Sequence, residues 1–104
     1  MKNYLLFSAL FFGNIFASDS SEIKITEESK ILIYSNYFWA PCSEAKELLK
    51  SRGLSYQEKM ITLSRSNYNE MLKFTNNKTG VPQIIIDGQY FGGLLELKKY
   101  FSEK

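Results

Sequence analysis

The order of apolar and polar positions along the chain predicts four strands. The segment KILIYSN, residues 30–36, is almost continuously β-prone and suits a strand buried on both faces. The segment SYQEKMI, residues 55–61, alternates between apolar and polar residues and predicts a second strand. Three isoleucines at 84–86 predict a third strand, and the Asp87-Gly88 pair after them predicts a hairpin turn into a fourth.

Helical spacing of apolar residues fills the intervals between these strands. Pro41 suits the first turn of the first helix and Gly53 suits its end, while Ser64 or Ser66 can cap the second helix. The three apolar helical faces are Ala45, Leu48 and Leu49, then Tyr68, Met71, Leu72 and Thr75, and finally Leu94, Leu97 and Phe101. The element order β-α-β-α-β-β-α predicts an α/β fold, in which a mixed sheet of four strands is flanked by helices.

The N-terminal part of the chain follows a different pattern. After one lysine, residues 4–16 are mostly apolar, and small residues follow them, as in a secretory signal peptide. A transmembrane anchor needs about 20 apolar residues, so an uncleaved membrane anchor or a buried helix is only the alternative. We therefore predict a signal peptide at 1–17, a linker or loose segment at 18–29 and a folded domain at 30–104. The expected location is the periplasm or the cell exterior.

Composition narrows the possible functions by exclusion. The 104 residues include 13 basic and 11 acidic side chains, a balance that does not indicate nucleic acid or an anionic membrane as partner. Histidine is absent and cysteine occurs once, which excludes a structural zinc site and an intramolecular disulfide. We expect no metal cofactor.

Two sequence blocks resemble the glutaredoxin family, within the thioredoxin-fold superfamily. These blocks are IYSNYFWAPCSEAKELLKSRGLSYQE and GVPQIIIDGQYFGG, and their separation is the one found in that family. The resemblance covers residues 30–104. It implies a thioredoxin-like fold, thiol–disulfide chemistry, and glutathione or a thiol-containing protein as partner.

The resemblance also places the redox site. The family has C-P-Y-C or C-G-F-S between its first strand and first helix, and this chain has W-A-P-C there. Trp39 then stands at the position of the nucleophilic cysteine and Cys42 at that of the resolving cysteine. A slipped register that makes Cys42 the nucleophile would remove a helical turn before Ala45. Iron–sulfur binding is not expected, because in the family it requires the first cysteine.

A glutathione groove is the second implication of the resemblance. In the family the proline is cis, and the backbone of the residue before it pairs with the cysteinyl part of glutathione. A basic residue binds the glycyl carboxylate of glutathione, and a glycine pair binds its γ-glutamyl end. The substrate-binding positions carried over in this way are Trp39, Lys78, Thr79, Val81, Pro82, Gly92 and Gly93. Three departures weaken the polar contacts. Gly80 extends the loop, Asn36 replaces a lysine, and Leu95 stands where an acidic or hydroxyl residue is usual.

Cys42 has several possible roles. At a helix N-terminus, exposed N–H groups and the macrodipole favour a reactive thiolate, which could be glutathionylated but could not resolve the mixed disulfide alone. Alternatively, Cys42 is a small buried hydrophobic residue. In an oxidising compartment it could also link two copies of the chain as a disulfide-bonded dimer.

Three consecutive aromatic residues, Tyr37, Phe38 and Trp39, precede the predicted helix. Phe38 is expected to pack onto the sheet, while Trp39 is either a partner anchor or a cap on the site. Two functions follow. The first is an exported glutaredoxin-like protein with at most weak, one-cysteine redox activity. The alternative is a non-catalytic module that binds glutathione or a peptide.

Overall fold

The computed structural model describes residues 23–103, and its seven elements match the predicted order. They are β1 (Ile31–Ser35), α1 (Ala40–Ser51), β2 (Gln57–Met60), α2 (Arg65–Thr75), β3 (Gln83–Ile86), β4 (Gln89–Gly92) and α3 (Leu94–Ser102). The predicted α/β fold with a mixed four-stranded sheet is confirmed. The predicted signal peptide lies outside the described residues.

The sheet has the strand order β2-β1-β3-β4. Strand β1 runs parallel to β2 and antiparallel to β3, and β4 is antiparallel to β3. Because β1 and β2 are parallel neighbours, the loops that follow them, residues 36–39 and 61–64, lie at the same edge of the sheet. A hydrogen bond of 2.9 Å from Ile61 N–H to Ser35 C=O joins the ends of the two strands.

The side chains of the central strands alternate between two hydrophobic clusters, one on each face of the sheet. The larger cluster unites β1 and β3 with α1 and α3, and its buried members are Ile31, Ile33, Ala45, Leu49, Ile84, Ile86, Leu97 and Phe101. The smaller cluster packs α2 on the opposite face through Tyr34, Met71 and Ile85. The predicted helical faces thus supply the core on both sides.

The polar ends of the elements follow their sequence signals. Ser64 caps α2, where its hydroxyl accepts a hydrogen bond of 3.1 Å from Asn67 N–H. Asp87 and Gly88 have φ of 51° and 81°, the left-handed values that a tight hairpin turn requires. Within the described residues no helix has the length and apolar character to cross a bilayer. Residues 23–29 form neither helix nor strand, although Ile25 packs against the larger cluster.

Candidate functional site

Trp39 begins the helix that carries the cysteine. It is the N-cap of α1, with extended backbone at φ −115° and ψ 112°, and its carbonyl accepts from Cys42 N–H at 3.0 Å. The indole Nε1–H donates to the carbonyl of Val81 at 3.0 Å. Trp39 remains 51% exposed. The residue at the start of the helix, therefore, meets both solvent and the loop before β3.

Cys42 lies three positions further on, in the first turn of α1, and is only 1% exposed. Burial raises the pKa of its thiol. The nearby Asn36 backbone, the Ser35 hydroxyl and the charge of Lys46 act on this pKa in the opposite direction without reversing the effect of burial. The Ser35 hydroxyl is buried and has no hydrogen-bond partner among residues 23–103. The thiol is therefore held neutral at physiological pH, away from solvent.

The cation nearest in sequence to the thiol, Lys46, forms an ion pair with a carboxylate. Lys46 Nζ forms an ion pair of 2.8 Å with Glu58 Oε2, and both side chains are about three-quarters buried. The hydrogen bond to Glu58 raises the pKa of Lys46, so that its charge is retained. Because Glu58 neutralises that charge locally, Lys46 contributes little to thiolate formation at Cys42.

A shallow groove of about 290 Å³ runs between the loop after β1 and the loop before β3. Its lining residues are Asn36, Trp39, Thr79, Gly80 and Val81. Three of the sequence-predicted binding residues therefore meet there, with the bond from Trp39 to Val81 crossing between the two loops. Within the described residues, the N–H of Val81 has no hydrogen bond. The Val81-Pro82 peptide bond is cis.

Two braces that sequence reasoning missed hold these loops. On one side, Gln83 Nε2 donates to Gly80 C=O at 2.9 Å, and Tyr90 Oη donates to Gln83 Oε1 at 2.6 Å. On the other, the Thr62 hydroxyl donates to Asn36 Oδ1 at 2.6 Å. The bond from Thr62 to Asn36 joins two loops that are 26 positions apart, so no local sequence pattern predicts it. The contacts of Gln83 are local, to residues three and seven positions away.

The glycine pair lies beside the proline, and the backbone N–H of Gly93 already has a hydrogen-bond partner. Gly93 N–H donates to Glu96 Oε1 at 2.8 Å, a helix-capping contact inside α3. Gly92 has φ of 137°, and a Cβ there would lie 2.6 Å from Glu96 Cγ. A Cβ on Gly93 would lie 3.0 Å from the carbonyl of Pro82. Packing within the fold thus accounts for both glycines without a ligand.

Lys78 is exposed and lies next to the groove in the chain without being one of its lining residues. Its ammonium group is 5.9 Å from the centre of the Tyr90 ring, within reach of a cation–π interaction. The turn that carries it is fixed by Thr75, whose Oγ1 accepts from Lys78 N–H at 3.1 Å. Lys78 is therefore a positive charge held near one end of the groove.

The expectation that Phe38 packs onto the sheet is wrong. Its side chain is fully exposed, as is that of Leu63 in the neighbouring loop. Both residues have left-handed backbone, with φ of 55° and 66°, which turns their side chains away from the sheet. Tyr37 is half exposed. The loop therefore presents its aromatic residues to solvent around the groove.

Among residues 23–103 there is no cluster of three or more side chains of the kinds that ligate metals.

Comparisons with known proteins identify the family and the fold of the chain. The sequence model of the glutaredoxin family matches residues 31–91, more than half of the chain. Glutaredoxin 3 of Escherichia coli (strain K12) is 39% identical over 69 residues, which is 66% of this chain and 82% of that protein. Among solved structures, glutaredoxin 1 from Francisella tularensis, in complex with cacodylate, superposes with a TM-score of 0.61. It is 31% identical, over 72% of this chain and 94% of that one.

A buckwheat glutaredoxin–glutathione complex superposes with a TM-score of 0.62, over 74% of this chain and 72% of its own. Its identity of 21% makes this a likeness of fold. The fold is thus that of the thioredoxin-like α/β proteins. Within that class, this chain belongs to the glutaredoxin family.

The burial of Cys42 predicts low thiol reactivity in the native state. At pH 7.5, we expect the thiol to react with dithionitrobenzoate about 100-fold more slowly than in urea-unfolded protein, because reaction requires local opening. Absorbance of the released thionitrobenzoate measures both rates. A native rate equal to the unfolded rate would contradict the burial described here.

The raised pKa of Cys42 also predicts how stability depends on pH. The unfolded thiol ionises near pH 8.5, while the folded thiol keeps its proton to higher pH. Its contribution is therefore fully present below about pH 8.5 and is lost as pH rises through the folded-state pKa, by up to about 1.4 kcal/mol per pH unit. Urea unfolding of the wild type and Cys42→Ala, with reductant present, measures the difference. A wild-type advantage that stays constant from about pH 8 to 10 would contradict it.

Proposed function

We propose that this chain binds glutathione or a cysteine-containing peptide without turning over disulfides. The observation that carries the proposal is the burial of Cys42, the single cysteine of the chain, at 1% exposure. Thiol–disulfide exchange requires a thiolate that can reach the sulfur of its substrate. A buried thiol with a raised pKa satisfies neither requirement.

In this proposal Trp39 stands where the family has its nucleophile, and Cys42 stands in the resolving position. The N-cap position of Trp39 and its half-exposed indole support this register, because a nucleophile needs such an exposed place at a helix start. The single thiol then lies one helical turn too deep to begin the reaction. Family membership and loss of the usual family activity are thereby compatible.

The groove supports binding better than it supports catalysis. Val81 offers a backbone N–H with no hydrogen bond in the described part of the chain, which an extended peptide can pair with. Asn36 and Thr79 add polar lining, and Lys78 places a positive charge nearby, suited to a carboxylate. The N–H of Gly93, which does not line the groove, is held by Glu96, so it is not available to an anionic group of a ligand. We therefore expect the affinity for glutathione to be modest.

We also propose that the protein acts after export, in the periplasm or outside the cell. The support is the apolar run and small residues within 1–17. In an oxidising compartment an exposed thiol would pair with another copy of the chain. Burial of Cys42 disfavours such a dimer.

Export is checked by the mass of the protein isolated from its native cells. We expect a chain that begins at Ser18 or Asp19, because cleavage follows the small residues at the end of the apolar run. A full-length protein in the membrane fraction would instead support an uncleaved anchor. A full-length protein in the cytoplasm would contradict export altogether.

Restoring the missing nucleophile tests the proposed function. We expect wild type to show background activity in glutathione-dependent reduction of hydroxyethyl disulfide. Trp39→Cys should exceed it by about 100-fold or more, because an exposed thiol at a helix N-terminus has a lowered pKa. Product formation is followed by coupled NADPH oxidation with glutathione reductase.

Two control variants make the comparison specific. Trp39→Ser removes the indole without adding a thiol and should stay at background. Trp39→Cys combined with Cys42→Ser should retain the gained activity, since one exposed cysteine suffices with glutathione as the second thiol. Wild-type activity that Cys42→Ser abolishes would contradict the proposal, and so would an inert Trp39→Cys variant.

A further inference from the structure

The indole of Trp39, the one tryptophan of the chain, binds the backbone of the proposed ligand groove. Its Nε1–H donates to the carbonyl of Val81 at 3.0 Å, across 42 positions of sequence. Both residues line the same groove. The contact therefore joins the two walls of the groove directly.

An extended peptide that pairs with one residue of a protein backbone uses that residue's N–H and its C=O together. At Val81 the two groups differ. The N–H has no hydrogen bond within the described residues, whereas the C=O is taken by the indole. Val81 thus offers half of a strand-like pairing site, and Trp39 occupies the other half.

We propose that Trp39 determines the specificity of the groove by competing with ligands for the carbonyl of Val81. A ligand that needs only the N–H can bind beside the indole, whereas an extended backbone pairs fully only after the indole leaves. The inference rests on the proposed function, because it concerns ligands of that same groove. It changes the role of Trp39 from a ligand contact to an internal competitor.

The indole can leave without unfolding the loop that carries it. Its side chain is half exposed and makes no hydrogen bond that caps α1, so the helix does not depend on it. The loop backbone has its own attachment, since the Thr62 hydroxyl accepts from Tyr37 N–H at 3.4 Å and donates to Asn36 Oδ1 at 2.6 Å. What ligand binding must break is therefore one hydrogen bond and the packing of one ring.

Trp39→Phe tests the competition, because it keeps an aromatic ring and removes the N–H donor. The probe is S-methylglutathione, which has a peptide backbone but no thiol, so that redox chemistry cannot contribute. By calorimetry, we expect Trp39→Phe to bind the probe about 3- to 10-fold more tightly than wild type, the range of one net hydrogen bond. Tyr37→Phe, a matched change in the same loop, should bind like wild type.

A second measurement uses the wild-type chain, which keeps the inference testable whatever the behaviour of the variant. The single indole gives one side-chain N–H resonance, and we expect it to shift when the probe saturates the groove, together with the fluorescence emission. An indole resonance unchanged at saturation would overturn the inference. Equal or weaker binding by Trp39→Phe would also overturn it, because Trp39 would then be indifferent to the ligand or in contact with it.

The two proposals fail in distinguishable ways. If neither wild type nor Trp39→Phe binds S-methylglutathione, the proposed function fails and this inference fails with it. If both bind with the same affinity, the groove is a ligand site and only the competition by Trp39 is wrong.

Discussion

The first turn of α1 is packed against the end of β1, and this contact decides which of its side chains reaches solvent. Cys42 faces inward, beside the Ser35 hydroxyl and the Asn36 backbone, where burial raises the pKa of the thiol. Trp39, three residues earlier, faces outward at the N-cap. The N-terminus of α1 therefore presents an indole to solvent and keeps its thiol buried.

The same packing shapes the groove. Parallel pairing of β1 with β2 brings the two loops after them to one edge, where Thr62 ties them together. The third loop approaches from β3, held by Gln83 and bridged by the indole. The groove thus lies between two loops whose positions are set by the sheet, and Thr62 attaches the first of them to the loop after β2.

Sequence periodicity predicted the fold well, because each element has a local cause. Local signals, which depend only on residues a few positions away, set the isoleucine strand β3, the Ser64 cap and the Asp87-Gly88 turn. The site was less predictable, because its contacts are tertiary. Neither the bond from Trp39 to Val81 nor the outward direction of Phe38 follows from any local pattern.

The proposed binding role, as opposed to a catalytic one, depends on the burial of the single thiol. Formation of a covalent adduct tests most directly whether Cys42 can react in the folded protein. Wild-type protein is equilibrated with glutathione disulfide at neutral pH, quenched in acid, and examined by intact-mass spectrometry. We expect an unmodified chain, because a thiol as buried as Cys42 is out of reach of glutathione disulfide bound in the groove. A stoichiometric glutathione adduct on Cys42, formed while the protein stays folded, would contradict it.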